Sequence, residues 1–239
     1  HSESFQRLSQ APDELGIMAI SSDRSTAAVV HQDDVRLLPL ESALQLDPRV
    51  LQVGSHYHRL ALHPQALWMA MATRDANFVH LWNLAHGEGV NASFTIPSTQ
   101  YFAFSPDGQW LVTCWEGQFC FYRVGLWKEP AFSIPRKGSS NQHAPVAFTK
   151  DGLTAAISAS RYTIQLVRLP QGHSHSNQLK TVATLESPDR SPLELLAFSP
   201  DGRALAAATA DRTIQLWNLA RLRNGLAELD LAHDWPEYP

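Results

Sequence analysis

The stretch AFSPDGRALAAATADRTIQLWNL, residues 197–219, joins two apolar runs with short turns that are rich in Asp, Gly and Pro. Its first six residues, AFSPDG, also occur at 103–108. Related stretches begin at Ala19, Ala61 and Ala147, so the alanine anchors recur at steps of about 40 to 50 residues. Recurrence at such a step indicates a repeat architecture built from five copies of one structural unit.

Each copy has the pattern of β-structure. Two strands are predicted at LELLAF (193–198) and RALAAAT (203–209), and SPDG between them has the residues of a tight turn. A third strand is predicted at TIQLWNL (213–219). A fourth, more polar strand is predicted at KTVATLE (180–186) in one copy and at ASFTIP (92–97) in another. Four antiparallel strands per period favour small sheets that stack around an axis as the blades of a propeller.

The sequence therefore predicts an all-β protein of five four-stranded antiparallel blades, with a short C-terminal helix. We place the blades within residues 1–222 and the helix and tail in 223–239. The expected repeat units are 15–55, 56–98, 99–142, 143–191 and 192–222. Residues 4–10 are predicted to form an outer strand, because the last unit has no evident fourth strand and an unpaired sheet edge is a liability.

These units resemble WD repeats over nearly the whole chain. The positions that carry the resemblance are the signature Trp, the residue after it, and the Asp of the turn before the third strand: Trp82 and Trp217, Asn83 and Asn218, Asp75 and Asp211. Three units replace the signature Trp, with Leu38, Tyr122 and Val167. The family's Asp–His–Ser/Thr–Trp hydrogen-bond network is therefore expected to be incomplete. The resemblance implies a WD-repeat β-propeller that binds proteins or peptides.

The number of blades in the intact ring has two interpretations. An open arc of five blades would leave two apolar blade faces bare, so we expect either a longer parent ring, of which this is the C-terminal part, or a closed ring of five. The tail HDWPEYP (233–239), with the leucine-rich segment before it, resembles the end of the propeller region in large bacterial multidomain proteins. That resemblance implies a protein-kinase domain in the same parent chain, although this chain has no kinase motifs.

The composition excludes some classes of binding partner and indicates the cellular compartment of the protein. The formal net charge of −4 gives none of the basic surface that nucleic acid requires, so no nucleic-acid partner is expected. Neither a membrane-spanning run nor a signal sequence is evident, which predicts a cytoplasmic protein without a membrane partner. Cys114 and Cys120 flank a hairpin turn in which Cys114 faces Phe119, so we expect two buried thiols without a disulfide.

Histidines raise the question of a metal-dependent enzyme. His56 and His58, and likewise His173 and His175, stand two residues apart, so each pair could direct two imidazoles to one metal ion if it lies on a strand. No third ligand is visible, and no catalytic serine or cysteine motif accompanies them. We therefore predict a protein that is not an enzyme and that needs no cofactor or metal. A propeller enzyme with a His-bound metal, or a sensor that regulates an attached protein kinase, is the alternative.

The loops at one end of the ring are the expected partner-binding site. In a propeller, the loops that enter the inner strands and the hairpins between the second and third strands point to the same end. Tyr, Trp and Arg in these loops are the residue types that dominate protein–protein binding energy. The residues predicted to bind a partner are Arg59, Arg74, Tyr101, Trp115, His143, Arg161 and Tyr162.

Overall fold

Short apolar or alternating segments, separated by turns, form strands throughout the described part of the chain as far as residue 218. The computed structural model describes residues 17–31, 34–40, 49–53, 57–73, 78–85, 94–97, 101–115, 117–138, 144–170, 179–230 and 235. The predicted strand that covers residues 4–10 lies outside these residues.

The described residues form nineteen strands and one helix. In chain order these are β1 (Met18–Ile20), β2 (Thr26–His31), β3 (Asp34–Pro39), β4 (Arg49–Gln52), β5 (Tyr57–Leu62), β6 (Trp68–Thr73), β7 (Phe78–Asn83), β8 (Phe94–Pro97), β9 (Phe102–Phe104), β10 (Trp110–Trp115), β11 (Gln118–Arg123), β12 (Phe132–Pro135), β13 (Val146–Phe148), β14 (Thr154–Ile157), β15 (Thr163–Arg168), β16 (Lys180–Glu186), β17 (Leu193–Phe198), β18 (Ala204–Thr209), β19 (Ile214–Asn218) and α1 (Leu219–Glu228).

The strands pair in chain order into five antiparallel sheets, which we call blades 1 to 5. Blades 1 to 4 each have four strands, and blade 5 has three among the described residues. The first strands of successive blades, β1, β5, β9, β13 and β17, lie side by side. This radial arrangement of small sheets is a β-propeller, as the sequence predicts.

We call the side of a blade that lies toward lower blade numbers its front face and the opposite side its back face. Four apolar clusters fill the spaces between successive blades, and each joins a back face to a front face. Between blades 1 and 2, for example, Leu37 packs in one cluster with Leu60 and Met71. Because both faces of blades 2 to 4 are covered, their central strands become buried along nearly their whole length, as β10 and β14 are.

The turn between the first and second strands repeats one hydrogen-bond pattern. In blade 3, Ser105 Oγ donates to Asp107 Oδ1 (2.5 Å) and accepts from the Trp110 backbone N–H (2.9 Å). The turn then needs a left-handed residue, which is Gly108 at φ +73°. Arg24 and Ala66 hold the equivalent positive φ in blades 1 and 2, so this turn forms even without glycine.

These turns also join neighbouring blades. The imidazole of His63, in the turn of blade 2, accepts from Gln65 N–H at Nδ1 (3.2 Å), so its Nε2–H donates to the carbonyl of Gly108 in blade 3 (3.0 Å). His63 is buried, and burial lowers its pKa. The neutral imidazole therefore stabilises the contact between two blades.

The C-terminal helix α1 begins directly after β19, four residues earlier than the predicted boundary at 223. The reason is a helix cap, since Asn218 Oδ1 accepts from the Arg221 backbone N–H at 2.9 Å. Leu219 and Leu226 then pack into the cluster between blades 4 and 5. The described part of the chain contains no helix with the length and apolar character needed to span a membrane.

The cysteines and the signature Trp follow the sequence predictions. Cys114 pairs with Phe119 across the β10–β11 hairpin, and Cys114 and Cys120 are both buried and form no disulfide. Burial raises the pKa of Cys120. Trp82 packs between blades 1 and 2, and its buried Nε1–H has no hydrogen-bond partner among the described residues. An unpartnered Trp is what an incomplete bracing network predicts.

Candidate protein-binding face

One end of the propeller carries the loops that enter the inner strands and the hairpins between the second and third strands. We call this end the loop face. Because each blade contributes one entering loop and one hairpin there, side chains that are far apart in sequence can meet. The described part of the loop face contains two pairs of arginine and tyrosine.

The first pair brings blades 2 and 3 together. Arg59 is the third residue of β5, and Tyr101 immediately precedes β9. The Arg59 guanidinium carbon lies 4.7 Å from the centroid of the Tyr101 ring and 5.9 Å from that of Phe102. Both distances are within the range of a cation–π interaction. A half-buried cation stacked on an aromatic ring is a rigid surface feature, because neither side chain is free to sample many rotamers.

The charges around Tyr101 come from several blades. Burial raises the pKa of the Tyr101 phenol, and the positive charges of Arg59 and Arg136 partly oppose that rise. The carboxylate of Glu194, in β17 of blade 5, also raises the pKa of Tyr101. Tyr101 therefore lies near charged groups of blades 2 and 5, and its hydroxyl stays neutral near pH 7. Burial lowers the pKa of Arg59, since removal from water disfavours the cation.

Arg136 is the buried support of this region, and sequence reasoning did not select it. It follows β12 and is only 5% exposed. Its Nε–H donates to the Ser158 carbonyl of blade 4 at 3.0 Å, and its backbone N–H donates to the Gly117 carbonyl at 2.6 Å. Burial lowers its pKa. A buried arginine with such partners links the hairpin of blade 3 to that of blade 4, directly beneath the loop face.

The second pair lies on the hairpin between β14 and β15. Arg161 is exposed, and its guanidinium carbon lies 5.7 Å from the centroid of the Tyr162 ring, which is 36% exposed. The backbone holds this hairpin against blade 5, since the Arg161 carbonyl accepts from Leu193 N–H (2.9 Å) and the Tyr162 carbonyl accepts from Ser187 N–H (2.7 Å). The pair is thus presented to solvent by an anchored loop.

The other predicted residues divide into those the structure describes and those it does not. Trp115 is the last residue of β10, half-buried, and it pairs with Gln118 across the hairpin. Arg74 and His143 lie outside the described residues. The structure thus brings Arg59 together with Tyr101, and Arg161 together with Tyr162.

The histidines that suggest a metal site lie mostly outside the described part of the chain. Among the described residues, no group of three or more His, Cys, Asp or Glu side chains could hold a metal ion. His56, His173 and His175 lie outside the described residues, and so does the side chain of His58.

Comparisons with known proteins agree on the fold. Residues 179–218 match the family model described as "WD domain, G-beta repeat", which covers β16 to β19. A comparison with curated proteins gave no match. In all, 1320 chains of solved structures are similar to this one, among them the two that follow.

The first is the β-propeller domain of Cps50 (Swd1) from Myceliophteria thermophila, with a TM-score of 0.65 and 17% identity over 84% of this chain and 69% of that one. The second is Hsv2 from Kluyveromyces lactis, with a TM-score of 0.60 and 11% identity over 85% of this chain and 59% of that one. Together with the matched repeat, these similarities support a propeller of the WD-repeat type. This chain spans only part of either similar structure.

Proposed function

We propose that this propeller is a non-catalytic scaffold that binds partner proteins or peptides through its loop face. The observation that carries the proposal is the stacking of Arg59 on Tyr101 between two blades, where the charges of Arg136 and Glu194 also act on the Tyr101 phenol. Arginine and tyrosine are enriched among residues that dominate binding energy at protein interfaces. Here they are held in place before a partner arrives, so little conformational entropy is lost on binding.

The second pair extends this surface toward blade 5. Arg161 and Tyr162 stand on a hairpin that two backbone hydrogen bonds hold in place. Glu194 supplies an acidic side chain and Arg212 a basic one, and both are exposed. The proposed partner segment therefore offers both apolar groups for the tyrosines and carboxylates for the arginines. Arg74, Trp115 and His143 belong to the same proposed surface.

A substitution panel tests this proposal. Tyr101→Ala, Arg161→Ala and Tyr162→Ala remove side chains of the loop face, and proteins that co-purify from the source cells are quantified by mass spectrometry. Removing a residue that dominates binding costs about 2 kcal/mol, so we expect recovery of the bound partners to fall at least about tenfold. Thermal unfolding of each variant checks that the fold is intact.

The matched controls lie at the opposite end of the propeller. Lys150 and Arg203 are exposed side chains in the turns between the first and second strands of blades 4 and 5. Lys150→Ala and Arg203→Ala change charge without touching the loop face, so partner recovery should stay at the wild-type level. Equal recovery of partners across both sets of variants would refute the proposal.

We also propose that the propeller belongs to a larger bacterial multidomain protein with a kinase domain among its partners. Only the resemblance of the leucine-rich segment and the tail 233–239 supports this context. Reading the complete gene decides it. A reading frame without a kinase domain would remove the kinase from the proposal and leave the scaffold role unaffected.

A further inference from the structure

The back face of blade 5 is apolar, and it is exposed in the part of the chain that the structure describes. Three large apolar side chains on it are 60%, 77% and 71% exposed, namely Leu195, Ile214 and Leu216. They stand in register across the sheet, since Leu195 pairs with Ala208, Ala208 pairs with Ile214, and Ala206 pairs with Leu216. Contiguous apolar surface of this kind marks an interaction site in a soluble protein.

The repeat shows what normally covers this face. The sequence TIQL occurs twice, at 163–166 in β15 and at 213–216. In blade 4, Ile164 is 0% and Leu166 1% exposed, because blade 5 packs on them. In blade 5, the same two residues of the same tetrapeptide are bare. The same two residue types are therefore buried by the following blade in blade 4, whereas no blade among the described residues covers them in blade 5.

Blades 1 to 3 agree with blade 4. The positions equivalent to Leu216 are Leu37, Leu81 and Phe121, and their exposures are 7%, 0% and 0%. Each of them packs against the front face of the next blade. Blade 5 therefore keeps the apolar back face that fits the front face of another blade.

The front face of blade 1 is likewise exposed among the described residues. Met18 and Ile20 on β1 are 60% and 50% exposed. Their equivalents in blade 2 are Leu60 and Leu62, which are 8% and 7% exposed because blade 1 covers them. Both ends of the arc thus have the surface of an interface between blades, and they do not cover each other.

The apolar surface at blade 5 continues onto the helix. A groove of about 530 Å³ separates β19 from α1, and its lining includes Leu216, Leu222, Leu226 and Leu229. Leu222 and Leu229 are 40% and 68% exposed. In chain order, α1 follows β19 at the point where the other blades have an outer strand, and it packs into the cluster between blades 4 and 5. A following blade does not start directly from β19.

We propose that these two end faces are closed by further WD-type blades of the same polypeptide, which lie N-terminal to the 239 residues. The last of these blades would pack on Met18 and Ile20, and the first on Ile214 and Leu216. This arc spans 69% of the Cps50 (Swd1) propeller chain, so the gap fits about two blades. A second copy of the arc has five blades and is too large for such a gap.

Thiol labelling of Leu216→Cys tests the proposal, because Cys114 and Cys120 are both buried and label slowly. The variant is made in the 239-residue chain and in the polypeptide encoded by the complete reading frame. We expect rapid labelling in the former and at least tenfold slower labelling in the latter. Leu166→Cys is the matched buried control from the same tetrapeptide, and Leu126→Cys, 68% exposed, is the control for an open site.

Two results would overturn the proposal. If Leu216→Cys labels as fast as Leu126→Cys in the complete polypeptide, the face stays bare. If protection appears in the 239-residue chain and rises with its concentration, a second copy covers the face instead.

Thermal unfolding of Leu216→Asp gives an independent readout. An aspartate on an exposed face should change the Tm of the 239-residue chain by no more than about 2 °C. In the complete polypeptide the same aspartate would be buried between blades, and we expect the Tm to fall by more than about 8 °C. Met18→Asp, on the front face of blade 1, should show the same difference in Tm shift between the two proteins. Equal shifts in both proteins would contradict closure by further blades.

Discussion

Asp211 shows how one side chain organises a turn of the loop face. Its Oδ1 accepts from the hydroxyls of Thr209 (2.5 Å) and Thr213 (2.9 Å) and from the Thr213 backbone N–H (3.3 Å). These hydrogen bonds lower the pKa of Asp211 from 3.8 to about 2. The turn needs this support, because Arg212 has a left-handed φ of +66°.

The depressed pKa predicts a pH dependence for Asp211→Asn. Because the folded pKa is below the unfolded value, the carboxylate stabilises the fold above pH 4, and this stabilisation disappears as the pH falls from about 4 toward about 2. Urea unfolding of wild type and Asp211→Asn should therefore differ at pH 7 and converge toward pH 2. Asp189→Asn, in the loop before β17, controls for loss of a surface charge. A constant difference across this range would contradict the assigned role.

Single residues were predicted well where their role is local. The sequence identified Asp211 as the turn aspartate and Cys114 as the partner of Phe119, because both depend on neighbours a few residues away. Arg136 was missed. It follows the outer strand β12 at the edge of blade 3, where a cation is expected to face solvent. The hairpin of blade 4, which accepts its Nε–H, comes close to it only in the folded propeller.

At the scale of elements, Asn218 both ends the strand β19 and caps the helix α1. Asn218 stands where the resembling family has the Asp of its signature pair, and here its side chain caps the helix. Asn83, the equivalent residue of blade 2, accepts from Ala85 N–H at 3.0 Å in a local turn without a helix. The same residue type thus ends a strand in both blades, and the sequence that follows decides whether a helix forms.

We expect Asn218→Ala to lower the free energy of unfolding by about 1 kcal/mol, since α1 loses its N-cap acceptor. Asn218→Asp should retain nearly wild-type stability, because a carboxylate also caps a helix N-terminus. Asn83→Ala, which removes only a turn hydrogen bond, is the matched control and should cost less. Urea unfolding measures all three, and equal losses for Asn218→Ala and Asn218→Asp would contradict the capping role.

Strand positions were accessible from sequence because side chains alternate along a strand and turns have characteristic residues. β16, for instance, has the predicted bounds of 180–186. The start of α1 was predicted too late, because Leu219 continues the apolar pattern of β19. Its helical conformation depends on the Asn218 cap and on packing between blades 4 and 5.

At the scale of the whole molecule, contacts between blades hold the propeller together. Gly108 illustrates the close fit between blades 2 and 3. A Cβ atom at this position would lie 2.6 Å from Nε2 of His63. His63 cannot move away easily, because it is buried and bonded through both ring nitrogens.

Gly108→Ala should therefore lower the free energy of unfolding by about 3 kcal/mol, from backbone strain together with displacement of His63. Gly125→Ala separates the two causes. Gly125 also has a positive φ, +87°, but no atom of the described residues lies within 4 Å of the place that its Cβ would take. This substitution should therefore cost only about 1 to 2 kcal/mol. Chemical denaturation measures both, and equal losses would contradict the contact between blades.

The candidate binding surface shows where sequence reasoning reached its limit. It identified Arg59, Tyr101, Arg161 and Tyr162 as residues of one end of the ring, since the repeat assigns each to an equivalent loop. It did not pair Arg59 with Tyr101, because these residues are far apart in the chain and meet only when blades 2 and 3 stack.

The sequence by itself determined the repeat, the strands and the turns, because alternation and turn chemistry act over a few neighbouring residues. Tertiary structure alone decided which copies of a pattern are buried. The Ile and Leu of TIQL are buried in blade 4 and exposed in blade 5, although both lie in a strand in each copy. Burial depends on the blade that packs on top, and the four residues themselves carry no information about that blade.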